Sequence, residues 1–503
     1  MCMKTYSIFH INDFSGGLMT KAAPMQISDN QAVDLLNCEF DMTGALAKRS
    51  GFTAYNSTPI PGAGLIDNLI RYYKNDGTRI LVATANSASA NKVHKGTDAT
   101  GTFTEITGGS ALDKDKPIDM LIYRDVLFMS NGSQPIQYCS GGASKADVSG
   151  SPTPPTGSCM AVCDNRLFVA GNSANPNRLF FSGIALFSAL PAVDFPATNF
   201  IDIPKQDTGD RITALAVYRD ELFVFRRNDM WALIGSGPED YYLQEINNRV
   251  GALSHRAVCN TGDALVFAGP GCIHEYRDGV MLDIGRSIDS VITALDFSRV
   301  KVCWYPAKKQ VWICGGTSAA SNNRVLVYDT MLKAWSVFDL SLNALCLFSG
   351  AGDCGELYGG SPTTGAVWRM ADGSSDNGDA IPFSYRTKHF DMHIPQNIKI
   401  FRRLYFNVNT AVDTGSFDVN VSVDFGRTTQ SVSDISFKGF NRWGHFVYGQ
   451  APYGGGLLQT AVVPMQSGMA GRYASIQISS SDKNPLTIFS IGIQNKIKPL
   501  RGE

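Results

Sequence analysis

The residues most able to do chemistry are few. The stretch HFDMH places His389, Asp391 and His393 at alternate positions. On a strand all three would share one face, a pattern that could hold a metal. Three ligands on one straight strand diverge too far for a tight site, so a polar solvent face is the expectation. The 11 cysteines are an odd number with no CxxC pair. Cys159 and Cys163 are the nearest pairing, and no second half completes a zinc site. Free, mostly buried thiols in a protein assembled in a reducing cytoplasm are expected. The glycine-rich stretches GGLMT, GPGC and GGGLL lack the Gly-Lys-Ser/Thr ending of a phosphate loop, and no GxSxG elbow is present. Nothing pairs a base with a nucleophile. The sequence therefore predicts no enzyme, with no catalytic, cofactor-binding or metal-binding residues and no cofactor.

One further stretch, SVDFGRT (Ser422 to Thr428), matches most of the Asp-box turn of sialidases. It is a single copy with Thr429 in place of the closing aromatic, and such boxes are structural turns. Arg226-Arg227 and Arg402-Arg403 are short basic pairs of the kind found on surfaces and in ion pairs rather than in a nucleic-acid groove. The bulk numbers agree: 503 residues, 44% hydrophobic, 18% charged and a formal net charge of -1. That length has room for two or three globular domains. A protein that wraps DNA by neutralising phosphates carries a clear basic excess, so strong, intimate DNA binding is not expected, while passive contact stays open. The opening MCMKTYSIFHIND lacks the apolar stretch of a signal peptide. No apolar run reaches the length of a membrane helix, so a soluble chain without membrane insertion is expected.

The elements that must position these residues read as strands. Glycine (49) and proline (22) punctuate short runs of Val, Ile, Leu, Phe and Tyr. FDVNVSVDF (Phe417 to Phe425) alternates almost strictly. One helix is predicted, over ISDNQAVDLLNCEF, with Ser28 or Asp29 as cap and Ala32, Leu35 and Leu36 as the apolar face. The fold class is all-β. Within it a unit recurs: an apolar run, a polar turn and a second apolar run ending in Gly or Asn. IDMLIYRDVLFMSNG, CMAVCDNRLFVAGN and ITALAVYRDELFVFRRN are examples. Equivalent positions at Leu69, Leu121, Ala161, Ala216, Ala257, Val302 and Cys346 are spaced 40 to 55 residues apart. A period of that size built from two hairpins is one four-stranded blade of a β-propeller, here with six or seven blades. Two or three β-sandwiches with similar hairpins are the alternative.

Near Asp376 the texture changes. MADGSSDNGDAIPF is a Gly/Ser/Asp linker, and the strands after it keep period two without the blade spacing. The expected organisation is residues 1–52 as an N-terminal arm and assembly segment, 53–376 as the propeller and 377–503 as a β-sandwich.

Both ends carry a resemblance. The residues Phe14, Gly16, Gly17, Leu18, Pro24, Asn37, Asp41, Gly44, Leu46, Lys48, Arg49, Gly51 and Phe52 match a segment of the type GGLNT…P…D…NV…GxLRKRPGF. That segment precedes a propeller in bacteriophage virion proteins. The carboxy-terminal RRLYFNV, VSVDFG, GRYASIQISSS and IFSIGIQ are similar to the closing sandwich of the same group. The role resembled is the tail nozzle or hub (tail tubular protein B-like) of short-tailed phages. This chain departs from the pattern at Ser50, where proline is common, and at Met19, where Asn is frequent.

The resemblance implies a structural virion protein assembled in the host cytoplasm. Its partners would be copies of itself in a hexameric ring, the tail adaptor or portal-proximal protein, and tail fibres or spikes. Double-stranded DNA would pass through the ring during genome ejection without sequence-specific binding. On this reading Phe14, Gly16, Gly17, Leu18, Pro24, Asn37, Asp41, Lys48 and Arg49 are assembly residues, and the first fifty residues lie against a neighbour as an extended arm. The near-zero charge suits a conduit, because a strongly basic lumen would hold DNA back. A receptor- or glycan-binding propeller of a virion and a glycan hydrolase are the other classes left open.

Overall fold

The polar dipeptides between paired apolar runs set the local fold. Arg124-Asp125, Asp164-Asn165 and Arg219-Asp220 all have positive φ, between 46 and 64°. Each joins two strands as a two-residue loop, with Tyr123 opposite Val126, Cys163 opposite Arg166 and Tyr218 opposite Glu221. Primed turns of this kind match the right-handed twist of the strands they join. Asp and Asn tolerate the left-handed region better than most residues. The two arginines have no such preference; the hairpins over-determine their conformation.

The computed structural model describes residues 6–97, 101–150, 152–184, 193–204, 210–348, 355–409, 414–438 and 458–499. Among these the chain is nearly all β, with one short α-helix, Asp289–Thr293. Seven of its sheets are four-stranded and antiparallel. In chain order their first strands are Ala63–Tyr73, Asp119–Tyr123, Cys159–Cys163, Ile212–Tyr218, Val258–Asn260, Asp296–Tyr305 and Ala344–Phe348. The repeat positions read from the sequence fall in these strands, except Ala257, which immediately precedes the fifth. In the seventh sheet the fourth strand is Phe52–Ala54, from before the first sheet. Tyr55 extends that pairing by donating its N–H to the Val367 carbonyl at 2.9 Å.

The chain clusters into two compact units. One comprises Ala54–Leu326 and Leu340–Met370. In it the first strand of each sheet packs on the first strand of the next, and Ala344–Phe348 packs on Ala63–Tyr73. The series closes on itself, which is the arrangement of a β-propeller. Apolar side chains fill the gaps between neighbouring sheets. Phe168, Phe181, Leu222 and Trp231 form one such layer, and Phe223, Phe225, Phe267 and Tyr276 another.

The other unit comprises Met1–Thr53, Val327–Asp339 and Ala371–Glu503. It contains two packed sheets. The five-stranded sheet runs Ala32–Leu36, Phe383–Thr387, Ala474–Ser480, Thr414–Val423, Thr428–Lys438. The seven-stranded sheet has Cys38–Phe40, Leu46–Lys48, Thr487–Ile497, Lys399–Asn409 and Leu458–Pro464 on its main path, with Ser7–Ile11 and Ala470–Gly471 paired off it. Phe406 of the seven-stranded sheet meets Phe417 of the five-stranded one edge-on, ring centres 5.2 Å apart. The alternation expected of Phe417 to Phe425 holds through Val423, with Phe417, Val419, Val421 and Val423 all buried.

Two expectations are corrected. The helix predicted from Ile27 to Phe40 is instead the strands Ala32–Leu36 and Cys38–Phe40, separated by Asn37 at φ 56°. The helix-like spacing of Ala32 and Leu35 has another cause. A bulge between Ala32 and Asp34 shifts the pairing against Phe383–Thr387, so both side chains reach the core from a strand. Nor do the first fifty residues stand apart as an arm. Ser7–Ile11 and Leu46–Lys48 pair with Thr487–Ile497, and Ala32–Leu36 pairs with Phe383–Thr387, all in the same chain.

Candidate functional site

Two clusters of polar side chains organise the molecule. The first lies on the axis of the propeller unit. A bulge between Ile66 and Asn68 leaves Asp67 unpaired in the first strand, and bulges re-aim side chains. Its carboxylate accepts the Ile118 N–H at 3.0 Å and takes both arms of the Arg256 guanidinium, at 3.0 and 2.6 Å. Arg256 also donates to the carbonyl of Asp67 at 2.9 Å. Its neighbour His255 accepts the Leu215 N–H at Nδ1, 3.3 Å, and places Nε2 3.4 Å from Asp119 Oδ1. The second oxygen of Asp119 accepts the Met160 N–H at 2.7 Å. Lys301 donates to Asn68 Oδ1 at 3.3 Å.

Arg256 stands at the entrance to the fifth sheet and Asp67 in the first. The sixth and seventh sheets lie between them in the ring, so the pair spans the axis rather than a seam between neighbours. The pair is largely buried, with side chains 14% and 11% exposed. Lys301, from the sixth sheet, crosses past the seventh to the first. Burial, and then the Arg256 charge, holds its ammonium below the usual lysine range. Burial also pushes the Cys303 thiol up to about 11, against the pull of Lys301. A thiol so raised is a poor nucleophile. The cluster ties the sheets together across the lumen, and its geometry offers no nucleophile–base pair.

The second cluster contains the residues singled out from the N-terminal segment. Asn37 is fully buried at positive φ. Its side-chain oxygen accepts from Arg49 Nε and from the Asp339 N–H, each at 2.8 Å, and its amide donates to the Pro382 carbonyl at 2.6 Å. Arg49, 2% exposed, then grips Asp376 with both terminal nitrogens, at 2.8 and 2.6 Å. Lys48 donates to the Asp482 carbonyl at 2.5 Å. Phe14 is buried edge-on to Tyr385 at 5.6 Å. Gly17 has φ +63°, and a Cβ there would lie 2.8 Å from the Trp335 nitrogen; Leu18 donates its N–H to the Trp335 carbonyl. Gly16 is backed by Asn30 and Gln31, and its N–H reaches the Asn30 carbonyl. Pro24 accepts the His389 N–H at 3.3 Å. Asp41 is exposed and closes its own turn through Thr43 and Ala45. These residues are tied within their own unit, and that intrachain role was not visible from the motif alone.

The predicted HFDMH face does not form. Met392 and His393 have φ 50 and 61°, so this is a turn and not a strand. The His389 ring stacks on Phe425 at 4.4 Å and the His393 ring meets Phe9 edge-on at 5.6 Å, which points the imidazoles at different neighbours. Among the described residues no group of three or more His, Cys, Asp or Glu is placed to hold a metal. The Asp-box-like stretch is a hairpin turn, as expected. Asp424 Oδ1 accepts the N–H groups of Arg472 and Tyr473 at 2.7 and 3.0 Å. Of the basic pairs, Arg226 is fully buried and bound to Asp229. The cysteines among the described residues are all free, and Cys38, Cys139, Cys159, Cys163 and Cys314 are buried; Cys2 and Cys354 lie outside the described residues.

No family model matches the sequence, and no curated protein matches it. Among solved structures, a computationally designed protein, Ika8, is 12% identical, covering 70% of this chain and 99% of its own at a TM-score of 0.37. A chain of a mitotic checkpoint complex is 13% identical, covering 63% and 96%, with TM-score 0.39. YCF48 bound to D1 peptide is 13% identical, covering 67% and 97%, with TM-score 0.40. Likenesses this distant carry no argument about function; the propeller rests on the sheet order and the closure described above.

Proposed function

We propose that this chain is a non-catalytic structural subunit of a virion: the nozzle or hub at the end of a short phage tail, working as a hexameric ring. Its seven four-stranded sheets are the seven blades of a propeller. The packed five- and seven-stranded sheets are the closing sandwich, into which the N-terminal segment is woven. The observation that carries the reading is the meeting of the two ends. The segments that resemble the phage proteins lie at opposite termini of the sequence, yet Leu46 of the first pairs with Ile488 of the last in one sheet of one unit. Independent motifs have no reason to fold together; parts of one module do.

The axial cluster refines the conduit. A lumen crossed by the Arg256–Asp67 pair is closed to a duplex, so DNA passes along the axis of the subunit ring and not through an individual propeller. Net charge near zero keeps such a passage from binding its cargo. Portal-side adaptor and fibre or spike contacts fall to surfaces outside the blades, because a closed propeller has few free strand edges to offer. The reading is tested by adding the purified chain to tail-deficient particles. Restored tails and genome ejection support it; particles that stay tailless count against it.

A further inference from the structure

We propose a saccharide-binding site on the outward face of the five-stranded sheet. That face carries a cavity of about 350 Å³, within the size range of small-ligand pockets. Strand register builds it. Gln477 lies opposite Arg386 on one side and Asn420 on the other, and the next row sets Ser422 between Ser475 and Thr429. Because side chains alternate, these residues project from the face opposite to buried Val419, Val421, Ile476 and Ile478.

Three features separate this face from an ordinary solvated one. First, it is concave and walled by aromatic side chains. Phe425 is 52% exposed although its own face is stacked on His389 at 4.4 Å, and Tyr473 buttresses it at 5.3 Å. It sits at φ 59° in the hairpin turn, a costly conformation for a bulky residue. Second, hydrogen-bonding capacity is left over. The side chains of Asn420, Ser422 and Thr429 have no partner among the described residues, and His389 Nδ1 is buried without one. Third, the lining contains one fixed positive charge, Arg386, and no carboxylate. Its nearest acid is Asp34, at a loose 3.9 Å.

A sugar ring answers each of these. Its polarised C–H face suits the negative face of an exposed aromatic ring. Vicinal hydroxyls both donate and accept, matching the Asn420–Gln477 amide row. The Arg386 fork fits a hydroxyl pair or a sugar carboxylate. The site does not depend on the tail reading, because it is built within a single chain.

The test is saturation-transfer NMR on the full chain with methyl glucoside, N-acetylglucosamine, glucuronate and inorganic phosphate as separate probes. Asn420→Ala and Phe425→Ala are compared with the parent, and far-UV circular dichroism and thermal unfolding confirm that each variant is folded. The expected result is transfer to the protons of at least one sugar, with affinity falling about tenfold or more in both variants. No transfer to any sugar overturns the proposal. So does transfer unchanged in both variants, or binding of phosphate alone.

Discussion

The phenol of Tyr123, the last residue of the second sheet's first strand, donates a 2.8 Å hydrogen bond to the carbonyl of Asn165 in the first turn of the third sheet. The arrangement recurs around the ring. Tyr72 reaches the Asp125 carbonyl at 2.5 Å and Tyr218 that of Asp263 at 2.7 Å. Cys163 takes the same place with its thiol 3.3 Å from the Asp220 carbonyl. Each latch joins one sheet to the first turn of the next. Removing one hydroxyl leaves a carbonyl short of a partner, at about 1 kcal/mol. Tyr123→Phe and Tyr218→Phe should each lower the urea midpoint by that equivalent, with the denaturant slope unchanged. The double variant should show the sum, because the two latches share no residue.

Arg49 and Asp376 predict a unit-specific effect. Breaking a buried pair by removing one partner costs about 3–5 kcal/mol, because the other charge is left behind. Arg49→Ala should reach that range, since it also takes one of two donors from the Asn37 oxygen, leaving only the Asp339 N–H. Hydrogen exchange should rise in strands Phe383–Thr387 and Thr487–Ile497, while the propeller strands keep their protection. Equal loss of protection in both units would contradict the division drawn here.

The axial pair offers a cleaner partition. Asp67→Asn and Arg256→Met should each destabilise, and the two together should cost clearly less than their sum. A double-mutant cycle in chemical denaturation measures the difference. Strict additivity would mean that the bidentate contact contributes nothing.

Acid sensitivity follows from three histidines. Burial lowers the pKa of His94, His274 and His389 from the ordinary 6.5. The unfolded chain therefore binds more protons than the folded one between 6.5 and the lowered folded values, and stability rises with pH there. The melting temperature should fall as the pH drops from 7.5 toward 5.5, and His274→Gln should flatten part of that slope. A melting temperature that is constant or rises on acidification would contradict the assignment.

Much of the propeller was legible because its determinants are local. The dipeptides Arg124-Asp125, Asp164-Asn165 and Arg219-Asp220 fix two-residue turns, and the repeat of apolar runs around them marks the first strand of each sheet. The tyrosine latches had a signal too, in Tyr-Arg-Asp at 123–125 and 218–220, but its meaning depends on the neighbouring sheet. What stayed hidden was non-local. The bulge at Ala32 makes a strand imitate helical spacing, and nothing within Ser28 to Phe40 reveals that its partner is Phe383–Thr387. The axial cluster joins Asp67, Asp119 and Arg256 from three distant segments. The cavity beside Phe425 was partly visible as alternating polar residues in FDVNVSVDF, whose outward half is the Asn420–Ser422 row. The histidines of HFDMH misled because alternation was read as a strand where two residues of positive φ make a turn.

The deletion of Met1 to Phe52 carries a related expectation. It strips three strands from the seven-stranded sheet, one from the five-stranded sheet, and the first residue of Phe52–Ala54 from the seventh sheet of the propeller. The shortened chain should be poorly soluble, with a lower and broader melting transition. A product as stable and soluble as the full chain would show that the segment is a detachable arm after all.

The central claim is that copies of this chain close into a ring whose axis, not the lumen of any propeller, is the passage for DNA. Single-particle imaging of the purified full-length chain over rising concentration, alone and bound to tail-deficient particles, tests it most directly. The account predicts closed hexameric rings with an open pore on the symmetry axis and filled density at the centre of each propeller. Monomers at every concentration that also fail to assemble on the particles, or duplex density threading a propeller past Arg256 and Asp67, would contradict it.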